Sequence, residues 1–129
     1  MIINEPEIAA SAIKTVKKLW GTEYWIVNTK LYCLKFLKVI PGFQSSIHAH
    51  AKKDETFIGM SGDLQLNLHD AITVERLGVI AIGPMNCYRI SPITFHSFQA
   101  HNVTWAMEVS TYHDDKDVIR LQESRKLEP

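Results

Sequence analysis

After Gly21 the sequence alternates between apolar and polar residues with a period of two, and this alternation constrains the fold more than any other feature. About ten short segments rich in β-branched and aromatic residues follow, separated by turn residues such as Pro41-Gly42, Gly83-Pro84 and Ser91-Pro92. Short strands at this spacing are typical of an antiparallel sandwich or barrel. No helical pattern alternates with them, so a parallel α/β fold is not expected. The sequence therefore predicts an all-β domain.

The first 21 residues follow a different pattern, in which apolar side chains recur at the spacing of an amphipathic helix. Asn4 is a suitable N-cap, Glu5-Pro6-Glu7 is typical of a first turn, and Gly21 is a suitable stop. We expect one N-terminal helix over residues 1–21, a β-barrel over residues 22–112 and a charged tail over residues 113–129 that forms a last helical turn or frays. No repeat or linker interrupts the chain, so residues 1–129 are expected to form one domain.

The overall composition does not recommend nucleic acid or a membrane as a partner. Fourteen basic residues balance fourteen acidic ones, so no bulk charge attracts the chain to nucleic acid or to a membrane surface. No apolar run approaches the roughly 18 residues that indicate a membrane-spanning helix. The first residues carry acid where a signal peptide carries base, and the two cysteines are too few for a disulfide framework. These features favour a cytoplasmic protein.

The residues that point to chemistry lie between Gly42 and Gly62. Side chains two apart on a strand share one face, so His48 and His50 can converge on one cation. Glu55 follows at a distance that allows a turn to bring its carboxylate alongside the imidazoles. Taken separately, the histidines could be surface or hydrogen-bonded residues, and Glu55 a solvated hairpin carboxylate.

Together these residues form the pattern Gly-x5-His-x-His-x4-Glu-x6-Gly, which resembles the first motif of the cupin superfamily. The stretch Ser91–His96 resembles the Pro-Pro-Gly-Thr-x-His core of the second motif, with Ile93 where glycine is usual. The resemblance implies a double-stranded β-helix (jelly-roll) barrel and a divalent metal held by His48, His50, Glu55 and His96. Three imidazoles and a carboxylate suit Mn2+, Fe2+, Co2+, Ni2+ or Zn2+.

Three further stretches resemble the sugar-isomerase branch of the cupins, namely Lys18–Asn28, Tyr32–Lys35 and the segment from Glu108 to Arg120. The first resembles the Lys-x-Trp-Gly-x-Glu-x-Trp entry of sugar-isomerase cupins, the second resembles the D-lyxose ketol-isomerase type, and the last resembles the closing strand and tail of type II phosphomannose isomerases. This branch usually holds Mn2+, and the resemblance implies a homodimer and a sugar substrate. It also implies the catalytic candidates Lys35, Lys53, Glu55 and Glu108.

Ordinary roles stay open for some of these residues. Lys53 lies in a charged run that is usually a solvated turn, and Glu108 could face a polar pocket or water. Lys35 shares its strand face with apolar neighbours, where a lone lysine needs a reason. The remaining histidines, His69, His101 and His113, are interpreted as strand or loop residues.

Three functional hypotheses follow. The leading one is a metal-dependent sugar isomerase, in which a carboxylate such as Glu108 acts as base and a lysine polarises or protonates oxygen. The second is a non-catalytic cupin that binds a sugar or another polar metabolite. The third is a small-molecule dioxygenase that uses iron in the same ligand set.

Overall fold

The computed structural model describes residues 12–129, and this part of the chain contains strands and turns but no helix. The all-β fold class is therefore confirmed for these residues. Thirteen strands follow one another: β1 (Lys14–Lys18), β2 (Gly21–Asn28), β3 (Cys33–Val39), β4 (Phe43–Gln44), β5 (Ile47–Ala49), β6 (Glu55–Ser61), β7 (Leu64–His69), β8 (Arg76–Ile82), β9 (Cys87–Ile90), β10 (His96–Ala100), β11 (Thr104–Ser110), β12 (Ile119–Gln122) and β13 (Arg125–Lys126).

The strands form two antiparallel sheets. One has the order β1-β2-β3-β11-β6-β9, and the other contains β12-β5-β10-β4-β13, with β7 paired to β10 and β8 paired to β7. Most neighbours in a sheet are distant in sequence, because the chain crosses repeatedly from one sheet to the other. This crossing brings the His48 region, the His96 region and the C-terminal segment into one sheet.

The predicted N-terminal helix is wrong where the structure describes it. Lys14–Lys18 is a strand that pairs with β2 in a hairpin, and Gly21 begins β2 instead of ending a helix. Val16 is the one side chain of β1 that is not exposed, so this segment buries little apolar surface and is joined to the sheet by its pairing with β2. The part of the helix expected over residues 1–11 lies outside the described residues.

The C-terminal segment also differs from the expected frayed or helical tail. Within residues 113–129, β12 pairs with β5 and β13 pairs with β4. The strand that carries His48 thus has a partner from the C-terminal segment. None of the described residues, 12–129, form a helix long and apolar enough to span a membrane.

Alternation along the strands divides the barrel interior into an apolar part and a polar part. On β3, Leu37 and Val39 are buried in the hydrophobic core, whereas Lys35, two residues earlier, is buried in polar surroundings. The register places Lys35 opposite Glu108 of β11 and Leu37 opposite Ala106. The apolar core extends from one end of the barrel to the polar part, where Trp20, Phe57 and Phe98 border the ionisable side chains. Its residues are Trp20, Leu37, Val39, Phe57, Leu64, Leu66, Ile82, Ile90, Phe98, Ala100 and Ala106. Ionisable side chains line the other end.

Candidate metal centre

The polar end of the barrel contains a cavity of about 650 Å³ between the two sheets. Its walls include two of the predicted ligands, His48 and His50, and three of the predicted catalytic residues, Lys35, Lys53 and Glu108. His96 and Glu55 are almost fully buried directly behind this wall. All residues that the sequence singled out for chemistry therefore lie at this one end of the barrel.

The three predicted histidine ligands converge because of the strand register. His48 on β5 is directly opposite His96 on β10, and their ring centroids are 4.5 Å apart. His50 follows on the same face of the chain, with its centroid 5.1 Å from that of His48 and 6.3 Å from that of His96. Two strands thus bring together imidazoles that are almost fifty residues apart in sequence.

Each of the three rings is held in the same way. Its Nδ1 lies within hydrogen-bond distance of a main-chain carbonyl, which can only accept, and this contact favours the tautomer with the proton on Nδ1; Nδ1 of His48 also lies 3.0 Å from the Ser46 hydroxyl. The Nε2 of each ring is then an unprotonated donor of an electron pair, the arrangement typical of metal-binding histidines. The three contacts are His48 to the Ser46 carbonyl at 3.0 Å, His50 to the Asp117 carbonyl at 2.6 Å, and His96 to the Thr94 carbonyl at 2.8 Å.

Glu55 places its carboxylate among these Nε2 atoms. Its Oε1 is 2.8 Å from Nε2 of His96, and its Oε2 is 3.9 Å from Nε2 of His50. Both oxygens and Nε2 of His96 are buried, and within the described residues they contact one another, His50 and Lys53. A proton on Nε2 of His96 would make its 2.8 Å contact with the carboxylate a hydrogen bond, and a cation bound by both groups would take the place of that proton. The residues therefore fit a metal ion.

The ligand set is nevertheless not arranged as a finished coordination shell. Residues 12–129 contain no group of three or more His, Cys, Asp or Glu side chains whose donor atoms already form a metal-binding arrangement. The carboxylate of Glu55 contacts Nε2 of His96 on one side and lies 3.1 Å from Nζ of Lys53 on the other. A metal would have to draw the carboxylate away from these two contacts.

The charge states of the ligands suit a cation. Burial lowers the pKa of His48 to about 3, and burial also lowers the pKa of His50 against the opposing effect of Glu55. Burial alone would raise the pKa of Glu55, but His96 and Lys53 outweigh it and hold that pKa below its usual range. Neutral imidazoles and an ionised carboxylate are the forms that bind metal.

The predicted catalytic residues form a chain of buried charges beside the ligands. Nζ of Lys53 is 2.7 Å from Oε2 of Glu108, and Nζ of Lys35 is 4.0 Å from the same oxygen. Lys35, Lys53 and Glu108 are 1%, 3% and 6% exposed, so the solvated-turn interpretation of Lys53 is wrong and Glu108 faces the polar cavity. Their roles in catalysis stay predictions.

These ion pairs fix the charges at neutral pH. Burial disfavours the ammonium of Lys53, but Glu108 and Glu55 outweigh this effect and raise the Lys53 pKa. Burial disfavours the carboxylate of Glu108 in the same way, and Lys53 and Lys35 more than compensate, so the Glu108 pKa is lowered. The cavity therefore holds charged groups of both signs.

Sequence reasoning missed some residues of the cavity. Nδ1 of His113 is 3.2 Å from Nζ of Lys53, and its Nε2 is 2.8 Å from a carboxylate oxygen of Asp115, so His113 is not an ordinary loop residue. The one sequence signal for a place at the cavity is the position of His113, three residues after β11. The other two predicted ordinary histidines, His69 and His101, lie outside the cavity lining.

Two further cavity residues belong to β2. Glu23 lies 3.7 Å from Nζ of Lys35 and accepts a hydrogen bond from the indole of Trp25 at 2.9 Å. Nζ of Lys35 lies 4.1 Å from the centroid of the Trp25 ring. Both residues stand in the stretch that resembles sugar isomerases, and Trp25 pairs with Lys35 across the strands, so alternation could have assigned them to the cavity.

The departure from the second cupin motif has a structural counterpart. Ile93, which stands where glycine is usual, has φ of 63°, the left-handed conformation that a β-branched residue rarely adopts. Its N–H donates to the carbonyl of His50 at 2.7 Å. The turn before His96 therefore keeps the glycine-like backbone despite the substitution.

No protein-family model and no curated protein match this chain. Solved structures do: oxalate decarboxylase from Bacillus subtilis is 14% identical, with a TM-score of 0.71 over 84% of this chain and 30% of its own. CapF with the inhibitor 3-isopropenyl-tropolone is also 14% identical, with a TM-score of 0.74 over 88% of this chain and 35% of its own. The chain thus spans about a third of the length of these proteins. Both have the cupin fold, and the likeness shows that this chain folds as the cupin barrel predicted from its histidine motif.

Proposed function

We propose that this protein is a metal-dependent sugar isomerase that interconverts an aldose and a ketose. The proposal rests on one observation above all. Three histidines at the polar end of the barrel place Nδ1 against main-chain carbonyls, which leaves Nε2 available to a ligand, beside the buried carboxylate of Glu55. His48, His50, Glu55 and His96 would hold a divalent ion, which we propose to be Mn2+ from the resemblance to sugar-isomerase cupins.

A divalent ion at this position would act as a Lewis acid toward a carbonyl and its neighbouring hydroxyl. The cavity supplies the other groups that the reaction needs. Aldose–ketose interconversion moves a proton between adjacent carbons, and Glu108 is the cavity carboxylate outside the proposed ligand set that contacts both lysines. We assign Glu108 as the base, Lys53 as the group that hydrogen-bonds or protonates the substrate oxygen, and Lys35 as a substrate-orienting residue.

The cavity also fits the proposed substrate class. Its volume of about 650 Å³ lies within the range of small-molecule sites. Each interior ammonium is near carboxylates, Lys53 near Glu108 and Glu55, and Lys35 near Glu23 and Glu108. Such alternating donors and acceptors suit the hydroxyl groups of a sugar.

A second candidate function is a non-catalytic cupin that binds a sugar or another polar metabolite. The observation that favours it is the short contact between Lys53 and Glu108, which lowers the Glu108 pKa and so weakens Glu108 as a base. Turnover would require substrate to loosen this ion pair. The two functions share the metal and the cavity and differ in whether Glu108 takes up a proton.

The experiment combines elemental analysis of the purified protein with a pentose and hexose panel in the presence of Mn2+. Glu108→Gln is compared with Glu75→Gln, which changes an exposed carboxylate away from the cavity. An isomerase loses about a hundredfold or more in rate in Glu108→Gln while it keeps its metal, and Glu75→Gln stays at the wild-type rate. Sugar binding without turnover, unchanged in Glu108→Gln, would instead establish the non-catalytic binder. A filled metal site with neither turnover nor sugar binding would refute both. The homodimer and the cytoplasmic location stay predictions.

A further inference from the structure

The loop between β5 and β6 carries two residues of the site, His50 and Lys53, and its main chain is bonded to Asp117 of the C-terminal segment. The carboxylate of Asp117 accepts hydrogen bonds from three consecutive main-chain N–H groups. They are those of Ala51 at 2.8 Å, Lys52 at 3.2 Å and Lys53 at 3.0 Å. Hydrogen bonds to an ionised acceptor are about twice as strong as neutral ones. The carboxylate thus fixes the backbone that connects His50 to Glu55.

The main chain of Asp117 acts on the same loop a second time. Its carbonyl accepts the Nδ1–H of His50 at 2.6 Å, which sets the tautomer and the direction of Nε2. One residue therefore determines both the ring orientation of a proposed ligand and the path of the chain to Lys53 and Glu55. The contacts connect positions that are 64 to 67 residues apart in sequence.

The main chain is held in place on both sides of Asp117. The N–H of Asp117 donates to the carbonyl of Asp114 in a turn at 2.9 Å, and β12 begins two residues later and pairs with β5. Ile119 is opposite Ala49 and Arg120 is opposite His48 in this pairing. Asp117 is therefore placed between a closed turn and a paired strand, beside the histidine pair.

We infer that Asp117 is a positioning residue for the metal centre and that the segment around it is a part of the site. The inference rests on the proposed metal-binding function. Residues that orient metal ligands typically change metal affinity by about 10- to 100-fold when they are replaced. Asp117 orients His50 directly and Glu55 through the loop, so it is expected to act at this level without contacting the ion or the substrate.

The test uses the full chain and compares Asp117→Ala with Asp70→Ala. Asp70 is a matched control, because its carboxylate also accepts main-chain N–H groups, those of Ile72 and Thr73 at 2.8 Å, in a loop away from the cavity. Affinity is measured by titration with Co2+, whose absorption spectrum reports the ligand geometry. Amide hydrogen exchange of the metal-free protein gives a second measurement that does not depend on metal.

The expected result is a Co2+ affinity about 10- to 100-fold weaker in Asp117→Ala, with a changed absorption spectrum and faster exchange at residues 51–53. Asp70→Ala is expected to keep the wild-type affinity and spectrum, although its own loop loses protection. Equal effects of the two variants on affinity would show a general loss of stability and overturn the inference. Wild-type affinity in Asp117→Ala would overturn it as well.

Two additions keep the test decisive. If Asp117→Ala does not fold, Asp117→Asn replaces it, since it keeps the shape of the side chain and removes its charge, and the same outcomes apply. If the wild-type protein binds no Co2+, the proposed function fails, and the positioning role of Asp117 is then tested by measurements on the metal-free protein. Unchanged exchange at residues 51–53, or a His50 ring protonated at Nε2 in the nitrogen NMR spectrum, would then overturn it.

Discussion

Replacement of Lys53 by methionine is the perturbation whose effect follows most directly from the buried charges. Nζ of Lys53 lies 2.7 Å from Glu108 and 3.1 Å from Glu55, and none of the three residues is more than 6% exposed. Methionine keeps much of the side-chain volume but leaves two carboxylates near each other without the intervening ammonium. Removal of one partner from a buried ion pair costs about 3–5 kcal/mol. We expect a loss of this size in the free energy of unfolding of the metal-free protein.

The assay is urea unfolding followed by tryptophan fluorescence, with a chelator present. Lys52→Met is the matched control, because Lys52 is the preceding residue, is exposed and makes no side-chain ion pair among the described residues. Its replacement is expected to change the free energy of unfolding by no more than about 0.5 kcal/mol. If the two variants have the same stability within about 1 kcal/mol, Lys53 does not neutralise buried carboxylates and the electrostatic account of the cavity is refuted.

Two further predictions concern the frame of the barrel. A side chain at Gly59 would overlap the carbonyl oxygen of Gly83, so Gly59→Ala is expected to destabilise the protein by about 3 kcal/mol in thermal unfolding. The control, Gly78→Ala, places its methyl group in open space and is expected to be neutral or slightly stabilising. Equal melting temperatures of the two variants would contradict this prediction. Burial raises the pKa of Cys33, whereas Cys87 is exposed, so a thiol reagent is expected to label Cys87 rapidly and Cys33 only on unfolding. Rapid loss of both thiols would contradict the burial of Cys33.

Much of the fold was predictable because strand alternation reports burial directly. The face shared by Cys33, Lys35, Leu37 and Val39 is buried at all four positions, as the period of two requires. The helix prediction was wrong at Lys14–Lys18, where the residue pattern fits the period of a helix as well as that of a strand. Pairing with β2 decided between the two, and that contact depends on residues elsewhere in the chain.

The site was predictable where its residues form a local pattern. His48, His50 and Glu55 lie within eight positions of one another, and their spacing reflects two adjacent strands and a turn. His113 and Asp117 carry no such signal, because their contacts with the site are with residues 60 or more positions away, Lys53 for His113 and the loop after His50 for Asp117. The burial of Lys53 was equally hidden, since its sequence neighbours are those of a solvated turn and its partner Glu108 is 55 residues away.

The central claim is that the three histidines and Glu55 bind one divalent ion, and metal stoichiometry tests it most directly. Wild-type protein, His50→Ala and His101→Ala are dialysed against Mn2+ and analysed for bound metal, with His101 as an exposed histidine outside the cavity lining. We expect one equivalent of metal in the wild type and in His101→Ala, and only a trace in His50→Ala. Equal metal content in all three proteins would show that the ion binds elsewhere, and no bound metal in the wild type would show that the tetrad is not a metal site.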